Sequence, residues 1–302
     1  MIDRRLQVLR MVDHTGTVTG AATALQYTPS AVSAQLRSLA EQLGVVLLVP
    51  DGRRLKLTAA GRSLVAHTDE LFEHWERVQA DVLAAADEPT GHLRMCGFSS
   101  AAAALLPPAA VAVAQALPAV RVSLVEAGPL ECFDMLLTDE ADIAVVVRTP
   151  GIPPTDHPRF EQHDLLDDVL DVMLPADHPL AGRRSVGFAE LAGQRWIVDR
   201  PGTAYHSLFL AACVEAGFEP RVAHHAAEWN TGAAMIGAGL GCSLLPRLVP
   251  LPGGHPVVRV PLSGRPRPHR KIVTAVRRGS ADAPVIAAAR AAFARAAADL
   301  SA

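Results

Sequence analysis

A chain of 302 residues exceeds one small module and suits a small domain with one or two larger ones. Half of it is apolar but only 4% is aromatic, so a globular core must be built from Ala, Val and Leu. The formal charge of -3, four scattered cysteines without C-x-x-C spacing and an opening Asp3-Arg4-Arg5 argue against a disulfide framework, a cysteine metal site and an export signal.

The charge is uneven: residues 1–60 carry +3 and the remainder -6. A basic head on an acidic body is expected where only the head meets a polyanion, although chance clustering of arginines gives the same count. In chain order, Ile2, Leu6, Leu9 and Val12 recur at helical spacing, and His14-Thr15-Gly16 stops that helix. A second short helix places Val18, Ala21, Ala22 and Leu25 on one face, and its small alanines admit a neighbouring helix closely. Gln26-Tyr27-Thr28 then turns the chain, with Thr28 as N-cap and Pro29 at the first helical position, where its missing N–H costs nothing.

The third helix has one apolar stripe, Val32, Leu36, Leu39 and Leu43, opposite Ser30, Ser33, Ala34 and Arg37, and Gly44 ends it. A helix seated on such a stripe, with short hydroxyls and one arginine outward, has the shape to enter a DNA major groove; an ordinary solvated face is the plain alternative. Residues 45–49 and 55–57 read as two short strands around Pro50-Asp51-Gly52-Arg53-Arg54, a turn that would act as a wing. Arginines at a wing tip reach phosphates or a narrow minor groove.

These sixty residues resemble the LysR-type transcriptional regulators, through Gly16-Thr17-Val18-Thr19-Gly20-Ala21-Ala22, Thr28-Pro29-Ser30-Ala31-Val32-Ser33, Leu36-x-x-Leu39, Glu41-x-Leu43-Gly44 and Leu57-Thr58-x-Ala60-Gly61. The resemblance implies a winged helix-turn-helix over residues 1–57, with Pro29, Ser30, Ser33 and Ala34 approaching the bases and Arg53 at the minor groove or backbone. The outward face of the third helix, its cap and the two-arginine turn add Arg37, Thr28 and Arg54 as DNA-contact candidates. Leu48 and Pro50 depart from the Phe and Arg usual in the family, which weakens the claim of a phosphate contact at position 50.

From Thr58 a long helix runs to about residue 86, with Leu64, Leu71 and Val78 seven apart and Thr68, Trp75 and Val82 four after each. So narrow a seam suits a second copy of itself, giving a homodimer that presents two recognition helices to a quasi-palindromic double-stranded site. Packing on the chain's own body is the alternative, since Thr68 is a poor core residue. The resemblance implies the dimer and, beyond it, a homotetramer.

Residues 87–91 read as a linker. Strand-like runs follow at 93–98, 120–126, 143–147, 169–174, 195–198, 241–245, 257–260 and 272–276 among helical stretches, and a last helix covers 283–300. Leu105-Leu106-Pro107, Leu174-Pro175-Ala176-Asp177-His178-Pro179-Leu180 and Gly239-Leu240-Gly241-Cys242-Ser243-Leu244-Leu245-Pro246 extend the resemblance over this body. It implies an effector-binding domain, 87–302, akin to periplasmic binding proteins, with subdomain I at about 92–163 and 267–302 and subdomain II at about 164–266. Only residues 101–120 lack charge long enough to suggest a membrane span, and prolines interrupt them.

In open α/β sheets ligands sit beyond the carboxyl ends of the strands. That places Ser99, Ser100, Gly128, Leu130, Arg148, Thr149, Trp196, Gly202, Thr203, Trp229 and Asn230 in a cleft suited to a small carboxylate or aromatic acid. Arg148 in a surface ion pair and Trp196 in the core are the plain alternatives. Gly97-Phe98-Ser99-Ser100-Ala101 falls short of a nucleophile elbow, and Gly237-Ala238-Gly239-Leu240-Gly241 precedes a strand where a dinucleotide loop follows one. No metal-ligand spacing, cofactor motif or catalytic constellation stands out, and the cysteines read as buried and inert. The expectation is a cytoplasmic, effector-controlled DNA-binding regulator, not an enzyme. The competing reading is an α/β binding protein or enzyme whose amino-terminal helices serve only oligomerisation.

Overall fold

The computed structural model describes residues 2–51, 54–86, 88–264 and 267–301. Gly52 and Arg53 at the expected wing tip lie outside that set, and Arg54 is described in its backbone alone. The chain divides into two compact units: residues 1–146, 153–163 and 274–302 form the first, and 147–152 with 164–273 form the second.

The first unit opens with α1 (Arg4–Thr15), α2 (Val18–Ala24) and α3 (Pro29–Leu43). Each start is fixed by a side chain that accepts an otherwise unbonded N–H: Asp3 from Arg5, Thr17 from Gly20 and Thr28 from Ala31. Gly44 ends α3 in the left-handed region at φ 67°, a conformation that other side chains resist. Val32, Leu36 and Leu39 are buried as the stripe requires, but Leu43 is exposed because it lies in the last turn, beyond the helices packed beneath. β1 (Leu48–Asp51) and β2 (Arg54–Leu57) pair antiparallel, Leu48 opposite Leu57 and Asp51 opposite Arg54. β1 starts later than the apolar run suggests, and Val45 and Val46 stay exposed ahead of it.

α4 (Ala59–Ala84) follows, capped by Thr58 Oγ1, which accepts the Gly61 N–H at 3.0 Å. A side chain at Gly61 would lie 2.2 Å from the Leu47 carbonyl oxygen, so only glycine lets the start of α4 pass this close to the strand segment. Then come β3 (Gly91–Gly97), α5 (Ser99–Ala104), α6 (Leu106–Ala116), β4 (Val120–Glu126), α7 (Pro129–Leu137) and β5 (Ile143–Val147). β3 runs parallel to both β4 and β5, the pairing expected when helices make the crossovers.

β6 (Phe160–Pro175) and, later, β13 (His269–Arg277) each run from one unit into the other. The second unit holds β7 (Val186–Gly187), a short 3-10 turn at Phe188–Leu191, β8 (Arg195–Val198), α8 (Ala204–Glu215), β9 (Arg221–His225), α9 (Trp229–Gly237), β10 (Ser243–Pro246), β11 (Val257–Val260) and β12 (Leu262–Ser263). β10 and β11 pair antiparallel with β6, while β8 and β9 run parallel. α10 (Pro284–Ser301) closes the chain in the first unit.

The core of the second unit is aromatic at its centre despite the chain's few rings. Trp196 is fully buried, with Phe188, Phe209 and Phe218 centred 5.7, 5.0 and 6.4 Å away. This corrects its placement in an effector cleft: β8 turns that ring inward, and only the core alternative fits.

Candidate DNA and effector sites

On α3, Ser30, Ala34 and Arg37 are exposed and Ser33 is half-buried, opposite the buried stripe. Thr28 and Pro29, just before, are exposed as well, and the Thr28 and Ser30 hydroxyls lie 3.0 Å apart. Ser30, Ser33 and Ala34 are short, and Ser30 and Ala34 face solvent, which is the form of face a helix needs to enter a groove. Not all of the head's positive charge is available. Arg5 is held by Asp3, Ser38 and Gln42, and Arg10 is buried against α4.

Arg10 belongs to a buried network that the sequence did not disclose. Its Nε donates to Asp69 Oδ1 at 2.6 Å, and its guanidinium lies 4.1 Å from the centre of the Phe72 ring. Burial draws Arg10 below the usual arginine range against the pull of Asp69. Arg159, 3% exposed in its side chain, donates to Asp69 from Nε and to Asp13 and the Arg10 carbonyl from its other nitrogens. One carboxylate on α4 thus ties α1 to the segment leading into β6. Removing Asp69 would leave two arginines buried together, a loss of roughly 3–5 kcal/mol. A second network joins Arg277 of β13 to Glu76 of α4 at 2.6 Å and to Asp142 at 3.3 Å, with Asp142 also gripped by Arg94. Burial pushes the Glu76 carboxyl up, and Arg277 opposes that push.

The expected dimer seam divides. Thr68 is buried within its own unit, its hydroxyl has no hydrogen-bond partner among the described residues, and Val65, Asp69 and Ala80 are buried as well. Thr68 therefore packs on the chain's own body, the alternative for that residue. Leu64 and Val78 are half-buried, whereas Leu71, Trp75 and Val82 are 43%, 44% and 65% exposed.

Of the expected effector residues, Ser99, Ser100, Gly128 and Leu130 belong to the first unit and the others to the second. Ser99, Gly128 and Leu130 are exposed at the carboxyl ends of β3 and β4, while Ser100 is buried inside α5. Arg148 lies 3.4 Å from Asp164 in a partly exposed ion pair, the alternative weighed for it. Thr149 follows it half-buried, and Gly202 is exposed. Thr203 caps α8 by accepting the His206 N–H, and Asn230 Oδ1 lies 3.2 Å from His255 Nε2. Trp229 lines a cavity of about 100 Å³ in the second unit with Asp199, Tyr205, Glu228, Ser243 and Arg270. Asp199 directly follows the last residue of β8 and was within reach of the rule that ligands gather at strand carboxyl ends.

Burial pushes the Cys213 thiol up to about 12 and Cys242 higher still; the neighbouring Cys132 thiol, with burial, does the same for Cys96. Such thiols are poor nucleophiles. Among the described residues no helix is long and apolar enough to cross a membrane, and no three metal-ligating side chains group together.

Residues 4–62 match the family described as "Bacterial regulatory helix-turn-helix protein, lysR family", and residues 86–298 match "LysR substrate binding domain". The "Probable HTH-type transcriptional regulator LrrA" of Synechococcus elongatus is 29% identical over 82% of each chain, and the "Transcriptional dual regulator GltC" of Bacillus subtilis is 25% identical over 72% of this chain and 71% of its own. Among solved structures, a full-length OxyR variant from Pseudomonas aeruginosa shares the fold at TM-score 0.65 and 19% identity, covering 96% of both chains. Full-length CbnR, solved with its target DNA, aligns at TM-score 0.59 and 22% identity over 98% of this chain and all of that one. The matched regions together span nearly the whole sequence, and the chain belongs to the LysR family of DNA-binding, effector-responsive transcription regulators.

Proposed function

We propose that this regulator reads its operator with Ser30, Ser33, Ala34 and Arg37 of α3 in the major groove, entered at Thr28 and Pro29, with Arg53 and Arg54 on the flanking backbone or minor groove. It works in the cytoplasm as a homodimer or homotetramer, residues 1–57 serving as the DNA-binding domain, 58–86 as the linker helix and 87–302 as the effector-binding body. Enzymatic activity has no part in it. The observation that carries the reading is the division of α3: a buried stripe of Val32, Leu36 and Leu39 beneath, and short polar side chains with one arginine outside. An effector shifts the regulator between two states only by binding one of them better.

The test is footprinting and gel shift on the DNA upstream of the coding region. Specific protection is expected at modest ionic strength. Arg37→Ala should cost about 1–3 kcal/mol at the specific site, as a lost base contact does, with far less change on unrelated DNA. Equal weakening on both, or no preferred site for the unaltered protein, overturns the assignment.

A further inference from the structure

The small cavity of the second unit has walls of a particular kind. The Tyr205 and Trp229 rings meet edge to face, centroids 5.2 Å apart and planes at 89°, and the Tyr205 hydroxyl is spent on the Leu244 carbonyl at 2.9 Å. Two aromatic surfaces thus border a space of about 100 Å³, with Met173 and Ile197 as further apolar wall. The polar lining is more telling. Arg270 is engaged by Asp168, Nη2 to Oδ2 at 2.5 Å and Nε to Oδ2 at 3.1 Å, so its charge is balanced before any ligand arrives. Arg148 is paired with Asp164. Asp199 and Glu228 also line the cavity, and among the described residues neither makes an ion pair. Asp199 Oδ1 accepts the Arg200 N–H at 2.6 Å, which fixes the carboxylate, and Glu228 stands at the start of α9, where the helix dipole favours negative charge.

We infer that this cavity takes the ammonium group of a small organic cation, a primary amine or a methylated ammonium, held by the Tyr205 and Trp229 rings with Asp199 and Glu228 as counter-charges. Two rings at right angles beside carboxylates are the surroundings in which a cation gains both quadrupole and Coulomb attraction. An anion would meet the Asp199 and Glu228 carboxylates in the same space, with the Arg270 charge already engaged by Asp168. The inference rests on the effector-binding reading and reverses the ligand charge that the sequence suggested.

The full chain is titrated with choline, benzylamine and benzoate at constant ionic strength, read by tryptophan fluorescence and thermal shift. Benzylamine and benzoate share a ring and differ in charge. At least one of the two cations should bind saturably while benzoate does not. Asp199→Asn and Trp229→Leu should each weaken that binding about tenfold, and Trp229→Phe should keep most of it. Binding of benzoate alone, no saturable binding of either cation, or cation affinity unchanged in both Asp199→Asn and Trp229→Leu overturns the proposal. Gel shift of the same samples separates the two readings: specific DNA binding without a cation response sinks the ligand assignment alone, and absence of specific DNA binding in the unaltered protein sinks the regulator reading.

Discussion

His157 shows how one side chain records its surroundings. Its Nδ1 accepts the Arg159 N–H at 3.2 Å, and its ring lies 5.1 Å from Phe160 and 6.5 Å from His14. Burial, then the Arg159 and His14 charges, pull its pKa down to about 4 from an ordinary 6.5, outweighing Asp69 and Asp13. A folded-state value below the unfolded one means that between pH 6.5 and 4 the unfolded chain binds a proton that the native ring refuses, so stability falls as pH falls through that window and levels off beneath it. The full shift corresponds to roughly 3 kcal/mol, of which about 1–2 remain once solvent screening of a half-buried ring is allowed for. Urea unfolding at pH 7 and pH 5 should show the loss, and His157→Gln should reduce the difference between the two. An unchanged difference in that variant would assign the slope to other groups.

Elements were legible where local chemistry alone decides them. Thr28 with Pro29 starts α3 and Gly44 ends it because cap and turn preferences act within a few residues. β6 was seen only in its second half: Asp164, Asp167, Asp168 and Asp171 interrupt the apolar alternation, and most of them are neutralised by arginines or a lysine far along the chain. Pairings of that kind leave no periodic trace. Trp196 is misplaced by the sequence for the same reason, and the burial of Arg10 is hidden there, since the Phe188, Phe209 and Phe218 rings and Asp69 are distant in sequence. α4 shows both cases. Its heptads were plain, but which of two apolar faces meets its own unit depends on Asp69 and its arginines. Leu71, Trp75 and Val82, spaced four and seven apart, stay exposed, and we propose them as the face for a second copy. Leu71→Glu with Trp75→Glu should turn a dimer into a monomer by light scattering at micromolar concentration while leaving the helical circular dichroism unchanged. An unaltered mass would move the interface elsewhere.

At the scale of the whole molecule, the basic head and acidic body predict a salt-sensitive DNA affinity, and burial separates the charges that solvent reaches from those it does not. Each phosphate neutralised contributes about -0.9 to the slope of log affinity against log salt. Arg10 cannot contribute, because it is buried and its charge is spent on Asp69. Lys56 in β2 is exposed on the described strand that leads away from the wing tip, and it makes no ion pair with a described residue. Lys56→Ala should therefore flatten the slope by about one unit per protomer and weaken specific and unrelated DNA alike. Arg10→Met should leave the slope as it was, since Arg159 still satisfies Asp69. If bulk charge on the head were what counted, both substitutions would flatten the slope equally. Affinities measured from 50 to 200 mM salt decide between a head that attracts DNA by its net charge and one that does so by particular, solvent-facing groups.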